Sequence, residues 1–349
     1  MKATAIACSL GIAIVINPLQ AQSPSSSPAV KSVPVTVDNF IRAESDMYFD
    51  LLLKRSGGQM GKMQHAREPV PPNSGVVRDN RDVIASTGVF DLDVGETTIM
   101  LPDPGKRFMS ILVINQDHYT PVAKFGAGSY TLTRQNVGTR YAFVGIRIFA
   151  DPQDPKDMQA THTLQDAIKV SQPGGPGKFE VPDWDKASQK KVRDALIALG
   201  RSMPDYTGAF GTKEQVNPVR HLIGTAIGWG GNPESVARYL NVTPTLNDGK
   251  TIYKLHVPPD VPVDAFWSVS LYDADGHFQE NPYNAYNLNS VTTKRNADRS
   301  VDIQFGGCDG KILNCLPIMP GWNYTVRLYR PRPEILNGTW KFPEAVLVE

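Results

Sequence analysis

The 349-residue sequence has almost no net charge, because 36 Lys and Arg stand against 35 Asp and Glu, a formal +1. A protein that binds nucleic acid by neutralising phosphates carries a clear basic surplus, so nucleic acid is excluded as a partner. Hydrophobic residues make up 41% of the chain and charged residues 20%. This balance is typical of a globular protein with a hydrophobic core and argues against a disordered chain.

The short motifs of several enzyme classes are also missing. Neither GxSxG nor GxxxxGK[ST] occurs, and Ser188 and Lys191, although spaced as S-x-x-K, lack the motifs that accompany this pair in enzymes. We therefore predict no metal ion, no cofactor and no hydrolase of a known pattern, while a triad or metal site gathered from distant strands stays open. The histidines, none of them in an HxH or HExxH pattern, are His65, His118, His162, His221, His256 and His277.

No apolar run reaches the ~20 residues that a membrane-spanning helix needs. The uncharged run Ala3–Ile16 follows Lys2 and is closed by Asn17-Pro18, with a small residue at Ala21. This arrangement predicts a cleavable signal peptide over residues 1–21 and a periplasmic or secreted protein with no membrane span afterwards. Its removal would leave the chain formally neutral, and the Ser/Pro-rich residues 22–36 would form a disordered tether.

Cysteine is scarce, and only Cys308 and Cys315 remain once the signal peptide is removed. Their spacing excludes a CxxC redox centre, and no further metal ligands are nearby in the sequence. In an oxidising compartment such a pair is typical of a structural disulfide, which would close a small loop.

The chain divides into helical and strand-rich segments. An amphipathic helix is expected over 37–58, a strand-rich domain over 59–155, a helical connector over 156–240 and a second strand-rich domain over 241–349. Short strands separated by Gly and Pro turns predict antiparallel sandwiches or barrels. The expected helices are 157–170, 184–199 and one from Asn232-Pro233 to Leu240. The expected strands are 83–92, 97–101, 108–115, 129–133, 141–149, 251–257, 265–273, 291–296, 300–305 and 324–329, with a hairpin tip at 296–299.

Several stretches resemble one known family. They are Ile223–Ala226 with Gly228–Pro233, Phe266–Tyr272, Tyr286–Asn289, Pro320–Tyr324, Trp340–Pro343 and the opening helix Asn39–Glu44. They are similar to an exported, mostly bacterial family that pairs an N-terminal domain of unknown function 1254 with a C-terminal domain of unknown function 1214. The resemblance covers nearly everything after residue 36. It implies a mainly β fold with linking helices, in which an N-terminal β-sandwich is joined to a C-terminal jelly-roll-like β-domain, and it supplies no established activity or catalytic residue.

The glycine-rich stretch 228–233 is the first candidate binding segment. Asn232 suits a helix N-cap, and the glycines before it could expose backbone N–H groups to a ligand, so Trp229, Gly230, Gly231 and Asn232 are candidate ligand-binding residues. Pro233 prevents a GxGxxG match. The alternative is that the glycines only let the backbone pass a packed Trp229.

Two further groups of residues complete the predicted site. Arg220 and His221 add a cation near the glycines, which suggests a carboxylate-bearing ligand. In the loop 278–289, aromatic rings beside amide groups suit a sugar, so Tyr283, Asn284 and Tyr286 are candidates. The alternative is an ordered loop that uses Asn for turns and Tyr for packing.

Three functions are compatible with this sequence. The first is binding of a small polar molecule or glycan in a cleft between the two β-domains. The second is a hydrolase or lyase whose acid–base residues come from separate strands. The third is a structural or assembly role, for which a homo-oligomer stays open.

Overall fold

The computed structural model describes residues 32–72, 74, 77–203 and 205–348. The signal peptide predicted over 1–21 lies outside the described residues, as does most of the predicted tether. The tether ends earlier than expected, because Val33 forms a bridge with Trp184 and Val35 is buried. Two apolar residues at the end of 22–36 therefore belong to the folded domain.

The helices begin where local capping chemistry allows. Helix α3 begins after Asp154 and α5 after Asn217, in both cases with a proline in the first turn, an arrangement that satisfies the free N–H groups of the helix start. The helices are α1 Phe40–Arg55, α2 Arg134–Val137, α3 Pro155–Asp166, α4 Lys186–Gly200, α5 Pro218–Gly228 and α6 Pro333–Leu336.

The N-terminal domain contains two sheets. Its strands are β1 Gln64–His65, β2 Val83–Asp91, β3 Thr97–Leu101, β4 Met109–Asn115, β5 Val122–Phe125, β6 Gly128–Leu132, β7 Tyr141–Phe149 and β8 Lys169–Ser171. A five-stranded sheet has the order β1-β2-β7-β4-β5, and a three-stranded sheet the order β6-β3-β8. All of these pairings are antiparallel.

Strand β7 shows why the five-stranded sheet is covered on both faces. Val144 and Ile146 belong to one apolar cluster, shared with the three-stranded sheet. Tyr141 and Phe143 belong to another, shared with helix α1 and Trp229. Because side chains alternate along a strand, one sequence serves two cores.

The C-terminal domain also contains two sheets, each with four strands. Its strands are β9 Ala237–Val242, β10 Tyr253–Val257, β11 Trp267–Tyr272, β12 Asn287–Asn289, β13 Val301–Phe305, β14 Cys315–Leu316, β15 Asn323–Tyr329 and β16 Val346–Leu347. The orders are β14-β13-β10-β16 and β12-β11-β15-β9. A single core lies between these sheets, and Phe305, Trp322 and Tyr324 are buried in it. The outer face of the second sheet packs against the N-terminal domain through Phe266 and Tyr329.

Three details of the sequence-based expectations are wrong. The expected helix from Asn232 to Leu240 does not form. Helix α5 ends at Gly228, and residues 237–242 form strand β9. Residues 291–296 form no strand, so the turn at 296–299 precedes β13 without closing a hairpin. The predicted helix over 157–170 ends at Asp166, and residues 169–171 are strand β8. In the first and third cases, strand pairing with a distant partner overrides the local pattern.

The broader expectations are confirmed. The fold is mainly β, with two β-rich domains and linking helices, and Cys308 and Cys315 form a disulfide. Within the described residues, no helix has the length and apolar character needed to cross a membrane.

Candidate functional site

A cavity of about 370 Å³ lies between the two domains. This volume falls in the range of roughly 300–1,000 Å³ typical of small-molecule sites. Both domains and the linking segments contribute to its walls. The lining residues are Val77, Arg78, Asp79, Asn80, Arg147, Tyr206, Phe210, Ile227, Gly228, Trp229, Gly230, Gly231, Asn232, Tyr239, Asn241, Thr325 and Arg327.

Strand β15 supplies one wall of the cavity. Tyr324, Val326 and Leu328 enter the C-terminal core. Thr325 and Arg327 alternate with them and line the cavity on the opposite face. The register that fills the core therefore also places a polar pair between the domains.

Arg327 is buried and holds the segment 78–79 in place. Its Nη1 donates to Ser270 Oγ at 2.8 Å. Its Nη2 donates to the Tyr272 hydroxyl at 2.7 Å and to the carbonyl oxygens of Arg78 and Asp79 at 2.8 and 3.1 Å. These donors are thus used within the protein, and Arg327 positions the cavity wall.

A buried carboxylate lies close to Arg327. Asp82 accepts hydrogen bonds from Asn287 Nδ2 at 2.7 Å and from Asn289 Nδ2 at 3.4 Å. Its burial raises the pKa of the carboxyl group, and the nearby Arg327 guanidinium opposes this rise. Asp82 therefore balances part of the charge of Arg327.

Arg78 and Arg147 differ from Arg327 in their hydrogen bonds and ion pairs. Arg78 Nη1 donates to Thr325 Oγ1 at 2.8 Å, while Arg147 makes only long contacts, 3.4 Å to Asn232 Oδ1 and 3.5 Å to the carbonyl oxygen of Gly230. Among the residues that the structure describes, neither arginine forms an ion pair. Burial lowers the pKa of Arg78 below its ordinary value, because its charged form loses hydration. Both cations would gain from an anion in the cavity.

Trp229, the second residue of the predicted glycine-rich segment, is packed and also lines the cavity. Its ring stacks on Tyr48 at a centroid distance of 4.6 Å and on His118 at 5.5 Å. Its Nε1 donates to Ser45 Oγ at 3.1 Å. These contacts make Trp229 part of the N-terminal domain's second apolar cluster, so it forms a rigid wall.

The next three residues form the turn that borders the cavity. Gly230 has φ +81°, which favours glycine, and a Cβ on Gly231 would lie 2.4 Å from the Phe210 ring. Asn232 Nδ2 donates to the Tyr239 hydroxyl at 2.6 Å. The glycines thus have packing reasons for being there, and the same turn lines the cavity.

His118 supports this turn from behind. Thr225 Oγ1 donates to the carbonyl oxygen of His221 at 2.8 Å, so it accepts the Nδ1 proton of His118, also at 2.8 Å. Nε2 of His118 then accepts the N–H of Gly230 at 2.9 Å. This arrangement requires a neutral imidazole. Burial, assisted by the neighbouring His221, holds the pKa of His118 well below its ordinary value.

Arg220 and His221 do not line the cavity. Arg220 Nη1 donates to Asp205 Oδ1 and to the carbonyl oxygen of Thr207, both at 2.9 Å. His221 is buried, with its ring nitrogens 2.9 Å from the carbonyl oxygen of Ala209 and 3.0 Å from that of Asp117. Both side chains are occupied by internal contacts.

The predicted aromatic-amide loop lies elsewhere on the C-terminal domain. Tyr283 is 41% exposed, and its hydroxyl donates to the carbonyl oxygen of Cys308 at 2.8 Å. Asn284 has φ +50°, a turn conformation that Asn tolerates, and Tyr286 is buried under the guanidinium of Arg81, 4.7 Å from its ring centre. The structure therefore brings Trp229–Asn232 together with the cavity, and leaves these three residues outside it.

The cavity arginines were not identified from the sequence. Arg147 and Arg327 each interrupt an apolar strand, Tyr141–Phe149 and Asn323–Tyr329. A single cation in such a strand indicates a polar position on one of its faces, and this signal was available. Arg78 lies in a polar connection and has no comparable signal.

Acid–base groups are few around the cavity. Among its described lining residues there is no histidine, and the titratable side chains other than arginine are Asp79, Tyr206 and Tyr239. In the part of the chain that the structure describes, no three His, Cys, Asp or Glu side chains are grouped to hold a metal ion. The arrangement is better suited to holding a ligand than to proton transfer.

Solved structures share this fold. The VPA0106 protein from Vibrio parahaemolyticus matches with a TM-score of 0.70 and 17% identity, over 90% of this chain and 98% of that chain. A putative uncharacterized protein from Burkholderia cenocepacia matches with a TM-score of 0.51 and 12% identity, over 89% and 88% of the two chains. At these identities the likeness concerns the fold alone. No curated protein matches the sequence.

Two family models match the chain, both described as proteins of unknown function. The first, DUF1254, matches residues 60–172, and the second, DUF1214, matches residues 243–333. The first match covers the sheets of the N-terminal domain, and the second covers most strands of the C-terminal domain. The chain therefore belongs to the family in which a DUF1254 domain precedes a DUF1214 domain.

Proposed function

We propose that this protein binds a small polar molecule in the interdomain cavity. The observation that carries the proposal is that Arg78 and Arg147 line one cavity without a carboxylate partner among the described residues. Desolvating a cation without a counter-charge is costly, so such an arrangement favours a site that a ligand completes.

The larger cavities of the described residues lack this feature. In one of about 500 Å³, Arg238 is paired with Glu234 at 2.6 Å. In another of about 610 Å³, Arg107 is paired with Asp157 at 2.5 Å. Their most buried cations are neutralised by the protein itself, so size alone does not identify the binding site.

The neutral polar groups of the cavity are held in place before any ligand arrives. Asn232 donates to Tyr239, and Thr325 Oγ1 donates to Asn241 Oδ1 at 2.8 Å. Groups fixed in this way lose little conformational entropy on binding. No observation of comparable weight favours the hydrolase, lyase or assembly alternatives.

The experiment is a thermal-shift screen followed by calorimetry, with separate panels of sugars, organic carboxylates, amides and inorganic anions. Asn241 is exposed at the cavity on strand β9, so Asn241→Trp should fill the space, and Lys254→Trp on the exposed face of β10 is the matched control. A ligand should bind the wild type and the control and fail to bind Asn241→Trp. If no panel stabilises the protein, or if binding survives the cavity-filling change, the proposal is refuted.

We also propose that the chain works outside the cytoplasm, in the periplasm or as a secreted protein. The Cys308–Cys315 disulfide supports this, because such bonds persist in oxidising compartments. N-terminal sequencing of the protein from its native host should find a chain beginning close to Gln22. A chain that retains Met1 would contradict the proposal.

A further inference from the structure

The interdomain cavity combines cations with apolar walls. Arg78 and Arg147 line it together with Phe210, Ile227 and Trp229. A sugar offers hydroxyl groups over most of its surface, and the aliphatic Ile227 side chain has no hydrogen-bond partner for them. A ligand with one charged end and an apolar body suits the mixture better.

The charges of the lining are not balanced within the protein. Three arginines and one carboxylate, that of Asp79, line the cavity. Arg327 has Asp82 nearby, and Asp79 accepts from its neighbour's backbone N–H at 2.8 Å. After Asp82 and Asp79 are set against the three arginines, at least one positive charge is left over. A monoanion would neutralise it.

Arg147 is the cation best placed to receive that anion. Its contacts with Asn232 and Gly230 are at 3.4 and 3.5 Å, the weak limit of hydrogen bonding, and both acceptors are neutral. A carboxylate could accept two parallel N–H groups of the guanidinium, which gives shorter and stronger charge-assisted bonds. The gain on binding would therefore be large at this residue.

We propose that the ligand of the cavity is an organic carboxylate with an apolar body, whose carboxylate pairs with Arg147 and whose body packs against Phe210 and Ile227. This inference rests on the proposed function, because it assigns a chemical class to the molecule bound there. The sequence had suggested a carboxylate through Arg220, and the structure places a different arginine at the cavity.

The test compares carboxylates with their uncharged amides by isothermal titration calorimetry. The probes are benzoate, cyclohexanecarboxylate, the two corresponding amides and sulfate. Loss of a charge-assisted pair should cost roughly 10- to 100-fold in affinity, so each carboxylate should bind at least tenfold tighter than its amide. High salt should weaken binding of the carboxylates and leave that of the amides unchanged.

Three variants locate the effect. Arg147→Gln should abolish the preference for the carboxylate, and Arg147→Lys should keep part of it, because the charge remains while the paired geometry is lost. Arg134→Gln is the matched control, since Arg134 lies in the same domain, is exposed and does not line the cavity. Circular dichroism of each unliganded variant verifies that it is folded.

The outcomes separate this inference from the proposed function. Equal binding of acids and amides, or a preference that survives Arg147→Gln, would overturn the inference, while a ligand excluded by Asn241→Trp would still support the cavity as a binding site. Sulfate binding as tightly as benzoate would overturn the role of the apolar body. If none of the panels binds, both proposals fail together.

Discussion

His118 should make the stability of this protein fall as the pH drops below about 6.5, the ordinary pKa of histidine. Its Nε2 accepts the N–H of Gly230 and its Nδ1 donates to Thr225, so a second proton would break the bond to the cavity turn. The titratable group that faces it is His221, with ring centroids 5.5 Å apart, and Asp117, which precedes His118 in the chain, forms an ion pair with Arg42. The perturbation we choose is His118→Gln, which offers an acceptor oxygen and cannot ionise.

The sign and the size of the pH-dependent change in the free energy of unfolding follow from proton linkage. Burial lowers the pKa of His118 in the folded protein, so the unfolded chain binds the extra proton first as the pH falls. The stabilisation is complete above the unfolded pKa and is lost below it. With an unfolded pKa near 6.5, the loss between pH 7.5 and 5.5 is at most about 1.4 kcal/mol, the value reached when the folded imidazole takes up no proton over this range.

The assay is urea unfolding of the wild type and His118→Gln at pH 7.5, 6.5 and 5.5, followed by tryptophan fluorescence. The difference between the two proteins cancels the titrating groups that do not contact His118, such as the buried Asp82. The wild type should lose up to about 1.4 kcal/mol more than the variant over this range. Parallel pH profiles would show that His118 ionises as easily in the folded protein as in the unfolded chain, and would refute the reasoning.

Three further changes should alter the free energy of unfolding, measured by urea denaturation at pH 7.5. Gly231→Ala should cost about 1–3 kcal/mol, because the added Cβ would overlap the Phe210 ring, and Phe210→Leu in the same chain should recover part of it. If Phe210→Leu recovers none of the lost stability, the overlap with the Phe210 ring is not the cause of the loss. Arg327→Met should cost about 3–5 kcal/mol, since it leaves Asp82 buried without a counter-charge, and adding Asp82→Asn should relieve much of this loss. If the costs of Arg327→Met and Asp82→Asn simply add in the double variant, the two charges are not coupled and the reasoning is wrong. Replacing both disulfide cysteines with serine should cost about 2 kcal/mol, because the closed loop is short, and should leave ligand affinity unchanged.

Much of the strand content could be predicted because it depends on short-range patterns. Strands such as Tyr141–Phe149 combine β-branched and aromatic residues with turn residues at their ends, and their limits agree with the structure. Local patterns fail where the same short signal occurs at two positions and has a different outcome at each. Asn217-Pro218 and Asn232-Pro233 carry the same helix-starting chemistry, and only the first begins a helix. Residues 237–242 instead pair with β15 along their whole length, which no local pattern reveals.

The candidate site could be predicted only in part, for a related reason. The turn from Trp229 to Asn232 was found because its composition is unusual within a short window. The cavity itself joins β7, β15 and the segment 77–80, which lie far apart in the chain. Arg220 illustrates the opposite error, because Asp205, fifteen residues away, neutralises a cation that looked available.

The cavity's charges follow from the register of two strands. Arg147 and Arg327 each lie between core residues, so a shift of one position would bury them among apolar side chains. The cores of both domains therefore fix these arginines on the faces that meet at the interface. An interface built from such faces cannot close by apolar contact alone without desolvating the cations, which is costly. Phe266 and Tyr329 seal one part of it, and the arginines keep another part polar. On our proposal, an organic carboxylate supplies the counter-charge that the folded protein does not provide for these arginines.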